Sequence, residues 1–457
     1  MIYLISLMPV VALFGYLVGH GYRELGAFAL LAPTLAPLSR GCLRAIRRGL
    51  KLPPRDQVNQ RVVALWVAYL VVTQVALVRA LLNGSRDTAA GLAEVLFFSF
   101  VPTAILVAVG VVVRRRDPLR AIQLVGLSVA LYVLLNVVGF LAGVTNPGVE
   151  DNYLRQLESM WSPTGYRLSF PFNLSGRMLA IVAGLTGVML LSIPRGRVLP
   201  GSARMGAPLV FVSAVIILAG HGARAPVMAA IAVGALAIVA RHWEPVGRVA
   251  LRGLVVAALV LPFVVLGTDW LEGLGDAAIV TSLGLTREAG DFASLSNRAV
   301  IWAAVGAYTV GVGPGVVFAG HGARGHVVSG LSDSWSALFE TSYANPYEVS
   351  THSTYVQIFV DSGVLGLGVF LALSWYSMSA LWRAQNRIRD GGGAAFALLY
   401  LLITGSVETS LTYYSVEAWV PFWALVAISV YLPVPSDRLD GLPWITPPPP
   451  SSDPSNL

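Results

Sequence analysis

The chain has 457 residues and carries a formal net charge of +7 at neutral pH. Its side chains are 56% hydrophobic and 12% charged, with a mean hydropathy of +0.70. Charged residues make up about a quarter of an ordinary soluble protein. The composition therefore excludes a soluble globular protein and predicts an all-α, polytopic membrane protein.

Apolar runs close to the roughly 20-residue length that spans a bilayer recur along the chain. They cover residues 2–19, 62–82, 92–113, 121–144, 178–193, 205–220, 226–240, 249–267, 355–381, 394–407 and 419–432. A shorter run at 25–38 contains Pro33 and Pro37, so this span is expected to be broken or tilted. We therefore expect about twelve transmembrane helices in a membrane domain at 1–432, with a large loop at 268–353 between the ninth and tenth spans.

Arginines predict the orientation of these spans, because short cytoplasmic loops are enriched in basic residues. They concentrate at 40–61, 114–120, 195–204, 241–252 and 383–389. This pattern predicts cytoplasmic termini and places segments 145–177 and 268–353 on the extracytoplasmic face. The net positive charge of the chain then reflects its membrane topology and attraction to anionic lipid headgroups, and it does not indicate nucleic-acid binding.

Three further features complete the predicted organisation. The first span lacks a basic region before it and a small-residue cleavage site, so we expect an uncleaved helix. The single cysteine, Cys42, excludes an internal disulfide and a cysteine metal cluster. Residues 433–457 are rich in proline and serine, which predicts a disordered cytoplasmic tail.

The two long outer segments are the expected place for function, because loops beyond about 15 residues are usually functional or disordered. Aromatic residues in the second segment argue against disorder and for a folded lid lying on the membrane, with these aromatic side chains at the membrane interface. They are Trp302, Tyr308, Trp335, Tyr343 and Tyr347. The same two segments and a neighbouring helix entrance supply candidate site residues, which are Arg167, Arg177, Arg224, Arg298 and His352.

The order of several short motifs resembles the O-antigen ligase and polymerase superfamily. The motifs are the loop from Arg167 to Asn173, Ala223-Arg224, Asn297-Arg298 with Trp302 and the glycines at 311, 313 and 315, and His352-Ser353-Thr354-Tyr355 before a glycine-rich helix at 363–368. The resemblance covers about residues 167–381, and the first five spans match in hydropathy alone. The chain departs from the family pattern at Ser353, where asparagine is common, and at Ala223, where serine is common.

Members of this superfamily are bacterial inner-membrane glycosyltransferases of the GT-C class that use polyprenyl-diphosphate-linked glycans. The resemblance implies transfer of such a glycan to a glycan or glycolipid acceptor hydroxyl on the extracytoplasmic face. Arg224 and Arg298 would bind the diphosphate, because guanidinium groups bind phosphate oxygens bidentately. His352 would accept the hydroxyl proton, and Arg167 and Arg177 would contact substrate. Neither a metal nor a cofactor is expected.

Several alternatives remain open from the sequence. The chain could be a polysaccharide polymerase acting on lipid-linked repeat units, or a lipid-linked oligosaccharide flippase. Arg224 could snorkel at a helix end, Arg298 could begin an interfacial helix, and His352 could cap the following span. Acidic residues could also take part: Glu348 is spaced to orient His352, and Glu408 and Glu417 flank the last outer loop. A metal site at His321 and His326, or at Asp269, Glu272 and Asp276, is a weaker alternative.

Overall fold

The computed structural model describes residues 2–22, 25–26, 28–29, 31–33, 58–82, 88–115, 118–147, 168–173, 176–191, 201–221, 223–264, 298–340, 345–387, 392–412 and 415–432. Regular structure in these ranges is entirely helical, with no β-strand, so the predicted all-α class is confirmed there. Several predicted features lie outside the described residues. They are Arg167, Cys42, Asn297, Tyr343, the acids at 269, 272 and 276, and the tail 433–457.

Eleven long helices in the described part coincide with the eleven long apolar runs. They are α1 (Ile2–Gly19), α2 (Gln60–Leu82), α3 (Thr88–Arg115), α4 (Pro118–Leu141), α5 (Gly176–Leu191), α6 (Gly201–His221), α7 (Arg224–His242), α8 (Glu244–Val264), α13 (Thr354–Arg387), α14 (Gly392–Val407) and α15 (Val416–Val430). Five of them, α1 to α4 and α13, are long and apolar enough to cross a bilayer, and each of the others contains a shorter apolar stretch of 10–17 residues. The chain is therefore a multi-pass helical membrane protein.

Helices α14 and α15 form the centre of the bundle. Every residue of α15 is buried, and α14 packs against α5, α7, α8 and α13. The peripheral helices instead expose apolar stripes at helical spacing. On α2 the exposed stripe consists of Val67, Val71, Val75, Val78 and Leu82. Such a stripe is typical of a helix surface that faces lipid.

Helix α13 is broken at Gly363, whose φ of 65° and ψ of −166° are not helical. The break separates a short piece at 354–362 from the long piece that follows. A Cβ at Gly363 would collide with the backbone of Phe318 and Ala319, so only glycine permits this close approach. The broken helix thus provides a docking point for the segment that precedes it in the chain.

That preceding segment folds as a lid with its own small hydrophobic core. It contains α9 (Arg298–Gly311), α10 (Pro314–Ala319), α11 (Gly325–Val328), α12 (Asp333–Ser336) and two 3₁₀ turns, Ala337–Phe339 and Pro346–Glu348. The lid core includes Ile301, Leu331, Phe339 and two tryptophans, packed on Val356 and Val360 of α13. The described part of the lid is therefore folded, as predicted.

The prediction that Trp302 and Trp335 lie at the membrane interface is wrong. Both side chains are fully buried, at 0% exposure. Their indole N–H groups donate to the backbone oxygens of Thr351 (2.8 Å) and Val349 (3.2 Å). These tryptophans instead fix the lid to the stretch of chain that carries His352.

Candidate active site

Glu408 lies at the centre of the candidate site, immediately after the last residue of α14. It is only 5% exposed. Its backbone oxygen accepts hydrogen bonds from the Thr354 amide (3.2 Å) and hydroxyl (3.0 Å), and that hydroxyl accepts from the amides of Ser410 and Leu411 (3.1 Å each). Because Thr354 begins α13, these bonds join the start of α13 to the end of α14. The carboxylate is therefore held in a fixed position.

Two arginines surround this carboxylate. Arg298, the first residue of the lid helix α9, donates from Nη2 to Glu408 Oε1 (2.5 Å) and from Nε to the Val407 carbonyl (2.7 Å). Arg177, the second residue of α5, places Nη1 3.9 Å from the same carboxylate oxygen. A cation at the end of α14 is also favoured by the negative end of the helix dipole. The site thus combines two guanidinium groups with one carboxylate.

His352 lies beside the other oxygen of the Glu408 carboxylate, Oε2. Its Nδ1 lies 3.6 Å from Glu408 Oε2, and its side chain is about one-tenth exposed. The residue has a φ of 52°, in the left-handed region that non-glycine residues rarely adopt. The neighbouring residues hold this conformation, because Ser353 Oγ accepts from the Val356 amide and Thr351 Oγ1 donates to the Ser353 oxygen. The imidazole is therefore oriented by its own backbone as well as by Glu408.

The charges in the site determine its protonation states. Burial alone would raise the pKa of the Glu408 carboxyl, but Arg298, Arg177 and His352 hold this pKa well below its usual range. Burial lowers the pKa of His352 to about 4, and the two arginines act in the same direction against the raising effect of Glu408. At neutral pH the carboxylate is therefore ionised and the imidazole is neutral. With its Nδ1–H directed to Glu408, the imidazole presents an unprotonated Nε2.

Arg224 begins α7 at the same end of the bundle, and its side chain is partly buried. The end of α6, which α7 follows directly, meets the stretch of chain before α5, because the Leu168 amide donates to the Gly220 oxygen (2.8 Å). Helices α5 and α7 also pack against each other, so Arg177 and Arg224 begin two neighbouring helices. The cations that act on Glu408 and His352 are those of Arg177 and Arg298.

An apolar cavity of about 350 Å³ lies between α5, α6 and α7. It extends from Ala223, the neighbour of Arg224, to Leu191. Its walls carry aliphatic side chains and glycines, including Gly187, Leu218 and Ile231. The cavity can accommodate a hydrocarbon chain whose polar end lies beside Arg224.

The other acidic candidates lie in different surroundings. Glu348 was the residue spaced to orient His352, but it is 53% exposed and its Oε1 lies 3.5 Å from Arg324 Nη1. Glu417 is buried in the first turn of α15. The sequence named Glu408 among three acids without a motif to select it. Its one distinguishing signal was its place directly after an apolar run, where an acid is a functional candidate.

The two lid histidines are also accounted for by local contacts. His326 Nδ1 lies 3.1 Å from Gln357 Nε2, and burial lowers the pKa of this histidine to about 3. His321 Nε2 lies 3.1 Å from the Tyr308 hydroxyl, and burial lowers its pKa as well. Within the described ranges, no three His, Cys, Asp or Glu side chains are close enough to hold a metal ion.

The structure thus brings Arg177, Arg298 and His352 together around Glu408 and places Arg224 at the start of an adjoining helix. Arg167 lies outside the described residues, although its neighbour Leu168 donates to the Gly220 oxygen (2.8 Å) at the end of α6. No protein-family model and no curated protein matches the chain.

Proposed function

We propose that this protein is a glycosyltransferase that moves a polyprenyl-diphosphate-linked glycan onto an acceptor hydroxyl, in the manner of O-antigen ligases. The observation that carries the proposal is a buried histidine beside two arginines that share one carboxylate. A membrane protein with this combination has both a proton acceptor and fixed cations at one end of its helices.

His352 is proposed as the general base. A pKa of about 4 keeps its imidazole unprotonated at neutral pH, and Glu408 holds the Nδ1 side of the ring. Nε2 accepts the proton of the acceptor hydroxyl while that oxygen bonds to the anomeric carbon of the glycan. Proton transfer of this kind typically contributes about 10²- to 10⁴-fold to a rate. Glu408 acts as a positioning residue in this step.

The arginines are proposed to stabilise the leaving group. When the bond from the anomeric carbon to the diphosphate breaks, its electron pair remains on a diphosphate oxygen. Guanidinium groups aimed at that oxygen lower the barrier, because they are already oriented when the charge develops. Arg177, Arg224 and Arg298 bring three positive charges to the site end of the bundle, which favours an anionic donor.

The cavity between α5, α6 and α7 supports a lipid-linked donor. A diphosphate bound at Arg224 would place the attached prenyl chain at the opening near Ala223. The prenyl chain of such a donor already lies in lipid, so the cavity would orient the donor through packing contacts and not through hydrophobic transfer from water. A water-soluble nucleotide-sugar donor would make no use of this apolar space.

The membrane arrangement that accompanies this proposal has about twelve spans in a bacterial cytoplasmic membrane. The arginine-rich loops would be cytoplasmic, and Arg177, Arg224, Arg298 and His352 would lie on the extracytoplasmic face. The large outer loop at 268–353 would then form the lid over a GT-C-like site.

The deciding experiment uses purified full-length protein in liposomes with a polyprenyl-diphosphate-linked glycan. The donor is incubated alone and with a glycolipid acceptor, and the products are sized. Transfer that requires the added acceptor supports ligation, whereas a ladder of longer lipid-linked chains from donor alone would identify a polymerase.

The His352→Asn variant is the matched control for chemistry, since asparagine tolerates a left-handed backbone better than most residues. Wild-type transfer by this variant would overturn the proposed role of His352. If the donor is unchanged in all mixtures but crosses the bilayer faster than in empty liposomes, the protein is a flippase and the proposal fails.

A further inference from the structure

The outer surface of the first two lid helices carries no charge. Between Arg298 and His321 there is no Asp, Glu, Lys or Arg. Three large apolar side chains on this surface are exposed to an unusual degree, namely Val300 (45%), Val310 (89%) and Phe318 (59%). The other exposed positions of α9 and α10 are alanine, glycine and proline. A solvent-exposed lid surface would normally carry polar side chains, so we expect this face to contact an apolar partner.

The turn that follows α10 contacts the candidate membrane span α2 before the last residue of that helix. The amide of Ala323 donates to the Ala76 oxygen of α2 (3.1 Å). Ala76 precedes Leu82, the last residue of α2, by six residues, which corresponds to about 9 Å at 1.5 Å per residue. The turn after α10 is therefore set well inside the length of α2.

The exposed face of α10 is also continuous with a lipid-facing surface. Phe318 and Ala319 lie against Gly363, and the next two residues of α13, Val364 and Leu365, are 51% and 43% exposed. These two residues belong to the stretch Thr354–Ala384 of α13, which is long and apolar enough to cross the bilayer. The apolar surface therefore runs without interruption from a span to the lid.

The turn at 320–323 is not helical, and several of its backbone groups form hydrogen bonds with protein. A non-helical segment inside a membrane requires such pairing. The amides of His321 and Gly322 donate to the oxygens of Val360 (3.0 Å) and Asp361 (2.9 Å). In an unbroken α13 these oxygens would accept from residues four positions later, so the break at Gly363 makes them available. The Gly320 oxygen accepts from Arg79 Nη1 (2.6 Å). Irregular backbone at membrane depth is tolerated where such pairing exists.

We propose that α9 and α10 form a membrane-seated hairpin whose exposed apolar face, from Val300 to Ala319, contacts the lipid acyl chains of the leaflet on the site side. The lid is then embedded along one flank, and Arg298 stands where this hairpin meets the bundle. The proposal depends on the membrane setting alone and is independent of glycan transfer. A second copy of the chain is the competing occupant of the same face.

The test places single cysteines in a Cys42→Ser background, labels them with an environment-sensitive fluorophore and reconstitutes the protein in liposomes. Phe318→Cys and Val310→Cys probe the hairpin. Val71→Cys, on the lipid-facing stripe of α2, and Ser334→Cys, on the exposed polar part of the lid, are the matched controls. Lipids brominated on their acyl chains quench from the bilayer, and iodide quenches from water.

We expect the labels at 318 and 310 to be quenched by brominated lipid to within about twofold of the label at 71, and to be protected from iodide relative to the label at 334. Iodide quenching equal to that at 334 would show that the face lies in water and would overturn the proposal. Protection from both quenchers would also overturn it, because the face would then be covered by protein. The readout is unaffected if the protein transfers no glycan.

Discussion

Arg298 and Glu408, which are 110 residues apart, form an ion pair that joins the lid to the centre of the helical bundle. Arg298 also donates a hydrogen bond to the carbonyl of Val407, the last residue of the central helix α14. A lid residue therefore pairs with one of the carbonyl groups left without an intrahelical donor at that helix end. The sequence predicted Arg298 as a diphosphate ligand. In the structure two of its donors bind the protein, and its side chain is only 14% exposed. Arg298 therefore has a structural role in addition to its proposed electrostatic one.

The first prediction concerns this pair. Arg298→Ala should destabilise the protein by about 3–5 kcal/mol, because it leaves the Glu408 charge buried without its nearest cation. Combining it with Glu408→Gln should restore much of the lost stability while transfer stays absent. Thermal unfolding in detergent measures both variants. A single Arg298→Ala variant as stable as wild type would show that the pair contributes little.

The second prediction separates the chemistry of His352 from its backbone. His352→Asn should keep the left-handed conformation and the fold, but transfer should fall about 10²- to 10⁴-fold because the proton acceptor is lost. His352→Ala should lose the same activity and also some stability, since alanine tolerates a positive φ poorly. Comparing the unfolding midpoints and transfer rates of the two variants tests both roles. Equal stability of the two variants would show that the φ of 52° imposes no strain.

The third prediction follows from the pKa of His352, about 4 instead of the ordinary 6.5. Transfer should be nearly constant from pH of about 8 down to about 5.5 and should fall only as the imidazole becomes protonated near pH 4. Because the unfolded chain binds this proton first, stability should also decrease as pH falls from 6.5 towards 4. Rates and unfolding midpoints across this range provide the measurement. A transfer inflection near pH 6.5 would contradict the burial of the ring.

The fourth prediction fills the apolar cavity. Gly187 lines the cavity, and an added Cβ there meets no atom within 4 Å. Gly187→Leu should leave the fold intact and raise KM for the lipid-linked donor about tenfold, because the leucine side chain would occupy the space of the prenyl chain. Gly253→Leu on α8, where the added Cβ is equally unobstructed, is the control. An unchanged KM in Gly187→Leu would place the prenyl chain elsewhere.

The fifth prediction tests the break in α13. Gly363→Ala should destabilise the protein strongly, because the residue has a φ of 65° and its new Cβ would collide with the backbone at 318–319. Gly368→Ala, five residues further along the same helix, meets nothing within 4 Å and should stabilise the helix by about 0.5–1 kcal/mol. Unfolding midpoints of the two variants should therefore shift in opposite directions. Shifts in the same direction would argue against the broken helix.

The sequence predicted the helices well, because a spanning helix is encoded by local hydrophobicity and needs no knowledge of its neighbours. The eleven long runs and the observed helices agree to within a few residues at most ends. The break at Gly363 was missed. A glycine inside an apolar run is common in membrane helices, and only the approach of Phe318 reveals its conformation.

The sequence predicted the arginines and the histidine of the candidate site, but it did not predict that they meet around Glu408. Arginines and a histidine near helix ends are visible in a sequence, but the carboxylate that organises them depends on which helix ends meet in space. Glu408 follows α14 by one residue, and its partners come from α5, α9 and the start of α13. The spacing of Glu348 from His352 suggested an orienting role, whereas in the fold Glu348 Oε1 lies 3.5 Å from Arg324 Nη1.

The lid is fastened to the bundle by polar contacts that include the Arg298 pair and the Ser350–Thr409 hydroxyl contact at 2.9 Å. Arg298 belongs to the lid, and Glu408 belongs to the bundle. Displacing α9 would take Arg298 away from Glu408 and lower the positive charge at the site by one. The anionic donor proposed above would then bind best to the seated arrangement and, by reciprocity, would hold the lid in place. Under the proposed function, substrate affinity and lid docking are a single coupled equilibrium.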